Sequence, residues 1–178
     1  RVLPDLLQEF DIFDIGERCA FTYESRYFDD PQRSAYDECH QGLRKRFKVR
    51  VRRYMDADLC FLEVKVKGRR GMTLKHRVRY DAKQLKALTT EGHEFDRATY
   101  AEHYGKPFDY DLQYALDVRY QRITLVAKIG GERMTIDTKM RFGTADKSLD
   151  ATSDLFILET KSALGRGFAD RCLCRVHA

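Results

Sequence analysis

The sequence lacks any long apolar run, since its longest unbroken apolar stretches have four residues, as in Leu155 to Leu158. A transmembrane helix needs about 20, so this sequence does not encode one. We recognise no signal peptide, and we therefore expect a cytoplasmic location. Only 3 of the 178 residues are proline, and no repeat or low-complexity linker divides the chain. We expect a single domain over residues 1–178.

The sequence also lacks the motifs of several enzyme classes. Its 5 cysteines form no CxxC pair and no zinc-ribbon spacing, a pattern that fits reduced thiols in a cytosolic protein. It has no GxSxG motif, and its 5 histidines show no HExxH pattern. Nucleophilic catalysis therefore has little support.

Charge and apolar content are both high enough to be informative. Apolar residues make up 43% of the chain, enough for a core, which excludes wholesale disorder. Charged residues make up 34%, above the usual quarter, with 33 Lys and Arg against 28 Asp and Glu. The formal net charge is +5. The informative property is where these charges lie along the chain.

Alternating apolar and polar residues predict an antiparallel sheet with a few peripheral helices, an α+β fold. Glycines at 68–71 and 130–131 predict hairpin turns. A short helix is expected after Pro4, and further helices at 82–91 and 97–104, whereas 144–154 is ambiguous. The predicted strands are 20–29, 43–54, 58–67, 72–80, 116–128, 132–142 and 155–161.

Five of these strands carry charged, mostly basic residues on one face and apolar residues on the other, because successive strand residues point to opposite faces. A half-solvated sheet shows similar alternation, and this is the default interpretation of any single strand. The recurrence in five strands and the near absence of uncharged polar residues argue against it, because like charges placed opposite each other repel. The charged sets include Arg50 and Arg52, Lys65 with Glu63, Lys75 with Arg77, Arg133 with Asp137, and Glu159 with Lys161.

The alternative is a closed or strongly curved β-barrel with a charged lumen, whose apolar strand faces pack outward against helices. Buried cations cost several kcal/mol each unless compensated, so such a lumen requires a polyanion, water or both. Arg binds phosphate through its two-pronged guanidinium, and Lys binds it as a point charge. A few carboxylates could coordinate Mg²⁺ or Mn²⁺. This pattern predicts metal-assisted binding of a linear phosphate chain.

Six segments in order resemble the VTC domain, the polyphosphate polymerase domain of the triphosphate tunnel metalloenzyme (CYTH-like) superfamily. Each motif alone is weak, but the six together cover roughly residues 20–161. They are Ser25-Arg26-Tyr27-Phe28-Asp29, Lys48-Val49-Arg50-Val51-Arg52-Arg53-Tyr54, Leu62-Glu63-Val64-Lys65, Tyr120-Gln121-Arg122, Arg133-Met134-Thr135-Ile136-Asp137-Thr138 and Leu158-Glu159-Thr160-Lys161.

The resemblance implies an antiparallel triphosphate-tunnel barrel with peripheral helices. It places phosphate-binding residues at Arg50, Arg52, Lys65, Lys75, Arg122 and Arg133, with Arg77, Tyr120 and Lys161 as secondary contacts. Catalysis would fall to Arg50, Arg52, Lys65 and Arg122. Glu159 matches the glutamate that holds the divalent metal, Mn²⁺ or Mg²⁺. Glu63 and Asp137 are weaker metal candidates, and their alternative role is to orient basic side chains by ion pairing.

The chain also departs from the family. The upstream strand of family members has no counterpart before Pro4, and their C-terminal Ser-Lys-Tyr region is absent. The chain begins with Arg rather than Met. We therefore expect either a fragment that lacks its first strand and C-terminal end, or a degenerate member.

The expected function is metal-dependent phosphoryl transfer to inorganic polyphosphate or triphosphate, with a nucleoside triphosphate as donor. Two alternatives share the same tunnel: a hydrolase of triphosphate or short polyphosphate, and a domain that only binds polyphosphate. A single-stranded nucleic-acid module would combine a basic groove with aromatic platforms. Most aromatic residues fall on apolar strand faces, so we expect nucleic acid to bind only adventitiously.

Overall fold

The computed structural model of the chain describes residues 3–68, 72–84, 87–163 and 165–175. The helices are α1 (Leu3–Glu9), α2 (Ser34–His40), α3 (Thr90–Tyr104) and α4 (Phe168–Cys174), with a 3₁₀ turn at Ala82–Gln84. The strands are β1 (Phe10–Ile12), β2 (Ala20–Asp29), β3 (Phe47–Tyr54), β4 (Leu59–Lys67), β5 (Thr73–Arg79), β6 (Gln113–Ala127), β7 (Arg133–Gly143), β8 (Ser148–Asp150) and β9 (Ile157–Lys161). In the part of the chain described, no helix has the length and apolar content that a membrane crossing requires.

The nine strands form one sheet with the hydrogen-bonded order β5-β4-β3-β2-β6-β7-β8; β1 also pairs with β6, and β9 with β7. The registered pairs, such as β3 with β4 and β7 with β9, are antiparallel. The α+β class with an antiparallel sheet is therefore confirmed. The strand order runs from β5 at one end to β8 at the other, and the described strands do not close it. The barrel stays a prediction.

The chain divides into two compact units whose segments alternate along the sequence. Unit 1 comprises the described residues within Arg1–Thr22, Tyr120–Met140 and Asp150–Ala178. Unit 2 comprises those within Tyr23–Arg119 and Arg141–Leu149. The long strands β2, β6 and β7 each contribute residues to both.

In unit 2 one sheet face forms the core. Val49 and Val51 of β3 and Leu62 and Val64 of β4 are buried and cluster with Tyr100 of α3. Burying a side chain such as Leu62 stabilises the fold by about 1.5–3 kcal/mol. Because these residues alternate with Arg50, Arg52, Glu63 and Lys65, the same packing turns those charged side chains to the opposite face.

In unit 1 the sheet is covered by α1 and α4. Leu125 of β6 and Met134 of β7 are buried with Leu6 of α1 and with Ala169 and Cys172 of α4. The apolar strand faces thus pack against helices in each unit, as expected from the sequence. The charged residues of β6, β7 and β9 alternate with this core.

The predicted helix at 82–91 was wrong, because residues 87–89 are not helical; residues 85 and 86 lie outside the described residues. Ala82–Gln84 forms only a 3₁₀ turn, and α3 runs from Thr90 through Gly92 to Tyr104, so 97–104 is its second half. Thr89 caps α3, since its hydroxyl accepts a hydrogen bond of 3.1 Å from the Gly92 N–H. Gly92 is buried in the first turn against Leu62, so a glycine that looked like a stop signal is a close-packing position.

The predicted strands agree with the observed ones to within a few residues, and the predicted opening helix is observed as α1. Antiparallel pairing of β4 with β5 confirms the first hairpin, although residues 69–71 of its turn lie outside the described residues. Gly130 and Gly131 form the β6–β7 turn with φ of 88° and 70°, a region that favours glycine. The ambiguous stretch 144–154 contains β8.

Candidate functional site

Unit 2 carries two buried arginines at the centre of its charged sheet face. Arg50 and Arg52 of β3 are each only 8% exposed. Arg50 lies opposite Tyr27 of β2 and Glu63 of β4, and Arg52 lies opposite Ser25 of β2. Both arginines therefore point away from the core formed by Val49 and Val51.

Arg50 is held by an ion pair inside this face. Its Nε and Nη2 lie 2.8 and 2.7 Å from Oε2 of Glu63, and its Nη1 donates a 3.0 Å hydrogen bond to the Tyr27 hydroxyl. Oε1 of Glu63 contacts the Lys75 ammonium. Glu63 is 0% exposed. A fully buried carboxylate thus bridges two cations.

The electrostatics follow from this geometry. Burial alone would raise the pKa of Glu63, but Arg50 and Lys75 outweigh it and hold that pKa below its ordinary value. Burial lowers the pKa of Lys75, an effect that Glu63 partly offsets. Glu63 is therefore ionised at neutral pH and fixes the positions of both basic side chains.

Arg52 has a different set of neighbours. Its Nε donates a hydrogen bond of 3.0 Å to Oγ of Ser25, which is fully buried, and its guanidinium carbon lies 5.6 Å from the Tyr23 ring centre. A hydroxyl and an aromatic ring orient Arg52 without adding negative charge next to it. These two neighbours thus help to position the Arg52 guanidinium.

A row of lysines crosses the same face. In the register of β3, β4 and β5, Lys48 lies opposite Lys65, and Lys65 lies opposite Lys75. Arg77 lies opposite Glu63 in the next row, is exposed, and has its guanidinium carbon 4.8 Å from the Phe61 ring centre. Like charges placed directly opposite each other destabilise a sheet, so this row favours a bound anion.

Positive charge dominates this face of unit 2. The three described strands β3, β4 and β5 contain a single acidic residue, Glu63. Plain protein surfaces mix charges of both signs, and mixing would be expected here if the face were only solvated. Beside Glu63, the structure brings together on this face five residues that were predicted from the sequence to bind phosphate: Arg50, Arg52, Lys65, Lys75 and Arg77.

Unit 1 carries a second charged set, centred on Arg122 of β6. Its Nε and Nη2 donate hydrogen bonds of 2.6 and 2.7 Å to the two carboxylate oxygens of Asp137, and its guanidinium carbon lies 5.1 Å from the Tyr120 ring centre. Burial would lower the pKa of Arg122, but Asp137 and Tyr120 outweigh it and raise that pKa. Tyr120 is buried, and the Arg122 guanidinium lies over the face of its ring.

Glu159 lies near this arginine on β9. Its Oε2 is 4.0 Å from Nη2 of Arg122, and its Oε1 is 3.4 Å from Nζ of Lys161. The Glu159 side chain is 50% exposed, in contrast to buried Asp137. Lys161 lies opposite exposed Arg133 in the β7–β9 register, which places two like charges side by side.

The three candidate metal ligands differ in the contacts that their carboxylate oxygens make. Both carboxylate oxygens of Asp137 bond to Arg122, and both oxygens of Glu63 contact cations. In the described part of the chain, no three His, Cys, Asp or Glu side chains gather closely enough to hold a metal ion. Glu159 is half exposed, and a single carboxylate completed by phosphate oxygens and water is an arrangement that Mg²⁺ commonly uses.

Sequence reasoning missed three residues that shape the unit 2 face. Ser25 and Tyr27 lie in a segment that resembles the family, but their role is to orient Arg52 and Arg50. Lys48 has the same strand parity as Arg50, a signal that could have included it in the site. Because parity does not reveal cross-strand neighbours, the lysine row was visible only from the register.

A comparison with family models matches residues 1–168 to the model described as VTC domain. A search of curated proteins finds no match. Among solved structures, the chain is similar to the PH1819 protein from Pyrococcus horikoshii OT3, with a TM-score of 0.47 and 12% identity. That alignment covers 98% of this chain and 77% of the other.

Proposed function

The chain belongs to the VTC domain family, and we propose that it binds inorganic polyphosphate or triphosphate on its cationic faces. In the proposed reaction the terminal phosphoryl group of a nucleoside triphosphate is transferred to the end of the polyphosphate chain, and nucleoside diphosphate is released. The family supports a polyphosphate-related function. The polymerase-type reaction, the nucleotide donor and the enclosing tunnel are parts of the proposal.

The observation that carries the proposal is the pair of buried arginines in unit 2. Arg50 and Arg52 are each 8% exposed beside a row of lysines, with one acidic residue in the three strands involved. Glu63 carries one negative charge, so positive charge remains in excess within these three strands. A phosphate chain supplies negative charge to this face, because its oxygens accept charge-assisted hydrogen bonds from Arg and Lys.

The residues take distinct roles in this proposal. Arg50 and Arg52 bind phosphate oxygens as two-pronged donors, and Lys65 and Lys75 act as point charges. In unit 1, Arg122 is oriented by Asp137, with Arg133 and Lys161 as exposed contacts. In phosphoryl transfer the protein mainly positions the phosphates and stabilises the charge that develops on them. Arg50, Arg52 and Lys65 suit this catalytic role in unit 2, and Arg122 suits it in unit 1.

Glu159 is the residue that would hold Mn²⁺ or Mg²⁺, since its side chain is half exposed and its contacts with Lys161 and Arg122, at 3.4 and 4.0 Å, are longer than those of Glu63 and Asp137 with their basic partners. When bound there together with phosphate, the ion would act as a Lewis acid and neutralise charge on phosphate oxygens. Arg122 and Lys161 lie within 4.0 Å of the Glu159 carboxylate and hold it in place.

The test is an assay of the purified chain with ATP and Mn²⁺ that measures polyphosphate and free phosphate separately. Accumulating polyphosphate supports the polymerase reaction, whereas release of free phosphate alone would replace it with hydrolysis. Arg52→Ala should weaken tripolyphosphate binding by about 1.5–3 kcal/mol, the scale of a charge-assisted contact. Arg97→Ala, an exposed substitution on α3, is the matched control and should leave binding unchanged. Equal binding by wild type and Arg52→Ala would remove Arg52 from the site.

A further inference from the structure

A cavity of about 490 Å³ lies in unit 2 beside the cationic face. This volume is in the range of small-molecule sites, about 300–1,000 Å³. Its lining is mainly apolar, with aromatic and basic residues at its margin. The lining residues include Tyr27, Asp29, Arg33, Tyr36, Lys48 and Ala115.

Two of these residues also belong to the proposed phosphate site. Tyr27 lines the cavity, and its hydroxyl accepts the 3.0 Å hydrogen bond from Arg50. Lys48 lines the cavity and begins the row that continues to Lys65 and Lys75. The cavity therefore adjoins the cationic face within unit 2 at these two residues. One ligand with an anionic part and an apolar part would fit both.

The outer margin of the cavity offers surfaces for a planar group. Tyr36 is 57% exposed and stacks on His40 with an interplanar angle of 5°. The guanidinium carbon of Arg33 lies 6.0 Å from the Tyr36 ring centre. Arg33 has a φ of 61°, a left-handed conformation that is uncommon for arginine, and such outliers cluster at ligand sites.

The acidic residue in the cavity wall has a structural task. Both carboxylate oxygens of Asp29 accept backbone N–H groups, those of Ala35 and Tyr36 at 2.9 Å and that of Asp30 at 2.9 Å. These bonds fasten the start of α2 to the end of β2. The wall that carries Tyr36 is thereby fixed, and the Asp29 charge is engaged by amide dipoles.

We propose that this cavity receives the base and ribose of the nucleoside triphosphate whose phosphates lie on Arg50, Lys65 and Lys75. The inference rests on the proposed function and adds how the donor is recognised. Inorganic polyphosphate has no apolar or planar group, so the cavity contributes nothing to its binding. The cavity therefore distinguishes the phosphoryl donor from the growing polyphosphate chain, although both use the same cations.

The test compares three ligands by calorimetric titration: ATP, ribose 5-triphosphate and tripolyphosphate. ATP should bind about tenfold more tightly than ribose 5-triphosphate, since stacking of one base on an aromatic ring corresponds to roughly five- to 150-fold in affinity. Equal affinity for these two ligands, with tripolyphosphate still bound, would overturn the cavity inference and leave the proposed function intact. Binding of none of the three would overturn the proposed function itself.

Two variants locate the effect in the cavity. Ala115→Trp, at a lining residue, should fill the cavity, abolish the preference for ATP and leave tripolyphosphate affinity unchanged. Ala57→Trp makes the same change in the exposed β3–β4 turn and should keep the preference. Tyr36→Ala, at an exposed position, provides a variant that does not depend on accommodating a large side chain in the sheet, and it should reduce the preference several-fold. A preference that survives both cavity variants would contradict the inference.

Discussion

Arg50 and Glu63 face each other across β3 and β4, with Nη2 of the arginine 2.7 Å from Oε2 of the glutamate. The carboxylate is fully buried and also contacts Lys75. Glu63 therefore holds two cations in place while neutralising only part of their charge. We propose that phosphate binds to the remaining positive charge.

Glu63→Gln should destabilise the free protein by about 3–5 kcal/mol, because it leaves two close cations without their buried counter-charge. Tripolyphosphate should restore part of this loss by supplying negative charge. Urea unfolding with and without tripolyphosphate measures both effects, with exposed Glu102→Gln as control. An equal loss in the presence of tripolyphosphate would show that phosphate does not reach this ion pair.

The same ion pair predicts a pH dependence. The folded-state pKa of Glu63 is below its ordinary value, so the pair stabilises the fold above that ordinary value, near pH 4.5. This contribution is lost as the pH falls through the lowered folded-state pKa. Acid unfolding of Glu63→Gln should therefore lack part of the wild-type loss of stability in this range. Parallel acid-unfolding curves for the wild type and Glu63→Gln would contradict this prediction.

A second buried carboxylate, that of Asp96, should give stability the opposite pH dependence. Asp96 on α3 is 0% exposed, and burial raises its pKa to about 8, from an ordinary value of 3.8. The folded state keeps a proton that the unfolded state has lost, so wild-type stability should fall as the pH rises through this window. The slope relative to Asp96→Asn should reach about 1.4 kcal/mol per pH unit. Urea unfolding of the wild type and Asp96→Asn at pH 5 and pH 8 measures this slope. If the difference between their free energies of unfolding is the same at both pH values, the prediction is refuted.

A side chain at Gly167 should displace the carboxylate of Glu132. A Cβ at this position would collide with the carboxylate of Glu132, whose oxygens accept the N–H groups of Phe168 and Ala169 at 2.9 and 3.0 Å. Gly167→Ala should therefore destabilise the protein by about 1–3 kcal/mol through lost hydrogen bonds at the start of α4. Gly143→Ala meets only ordinary contacts, the nearest at 3.7 Å, and should change stability by less than about 0.5 kcal/mol. Equal urea midpoints for the two variants would contradict this.

Glu159→Gln tests the metal assignment. The change should abolish the enhancement of tripolyphosphate binding by Mn²⁺ and leave metal-free binding largely intact, because the amide is a poor ligand for a divalent cation. Titrations with and without Mn²⁺ measure both. Exposed Glu9→Gln in α1 is the control. If Mn²⁺ still enhances binding by Glu159→Gln, the metal is held elsewhere.

The sequence predicted the faces of the sheet better than the contacts made on them. Strand parity separated Arg50 and Arg52 from Val49 and Val51 because the period of two is fixed by backbone geometry. It could not reveal that Arg122 pairs with Asp137, since cross-strand neighbours depend on register.

The helices were predicted less well. The boundary of α3 depends on one capping hydroxyl, that of Thr89, rather than on residue preferences at 82–91. Helix α2 was missed because it has seven residues and its start is held by Asp29 and Asp30 from the preceding strand and turn. The burial of Asp96 could not be predicted from the sequence either, because aspartate side chains are almost always exposed.

The most direct test of the account is calorimetric titration of the chain with tripolyphosphate, with and without Mn²⁺, in the presence of single-stranded DNA as competitor. The account predicts tight binding that Mn²⁺ strengthens and DNA does not displace, because the cations are arranged for a bare phosphate chain. Weak binding that falls steeply with salt and shows no preference for tripolyphosphate over DNA would contradict it. The cationic faces would then be ordinary basic surfaces.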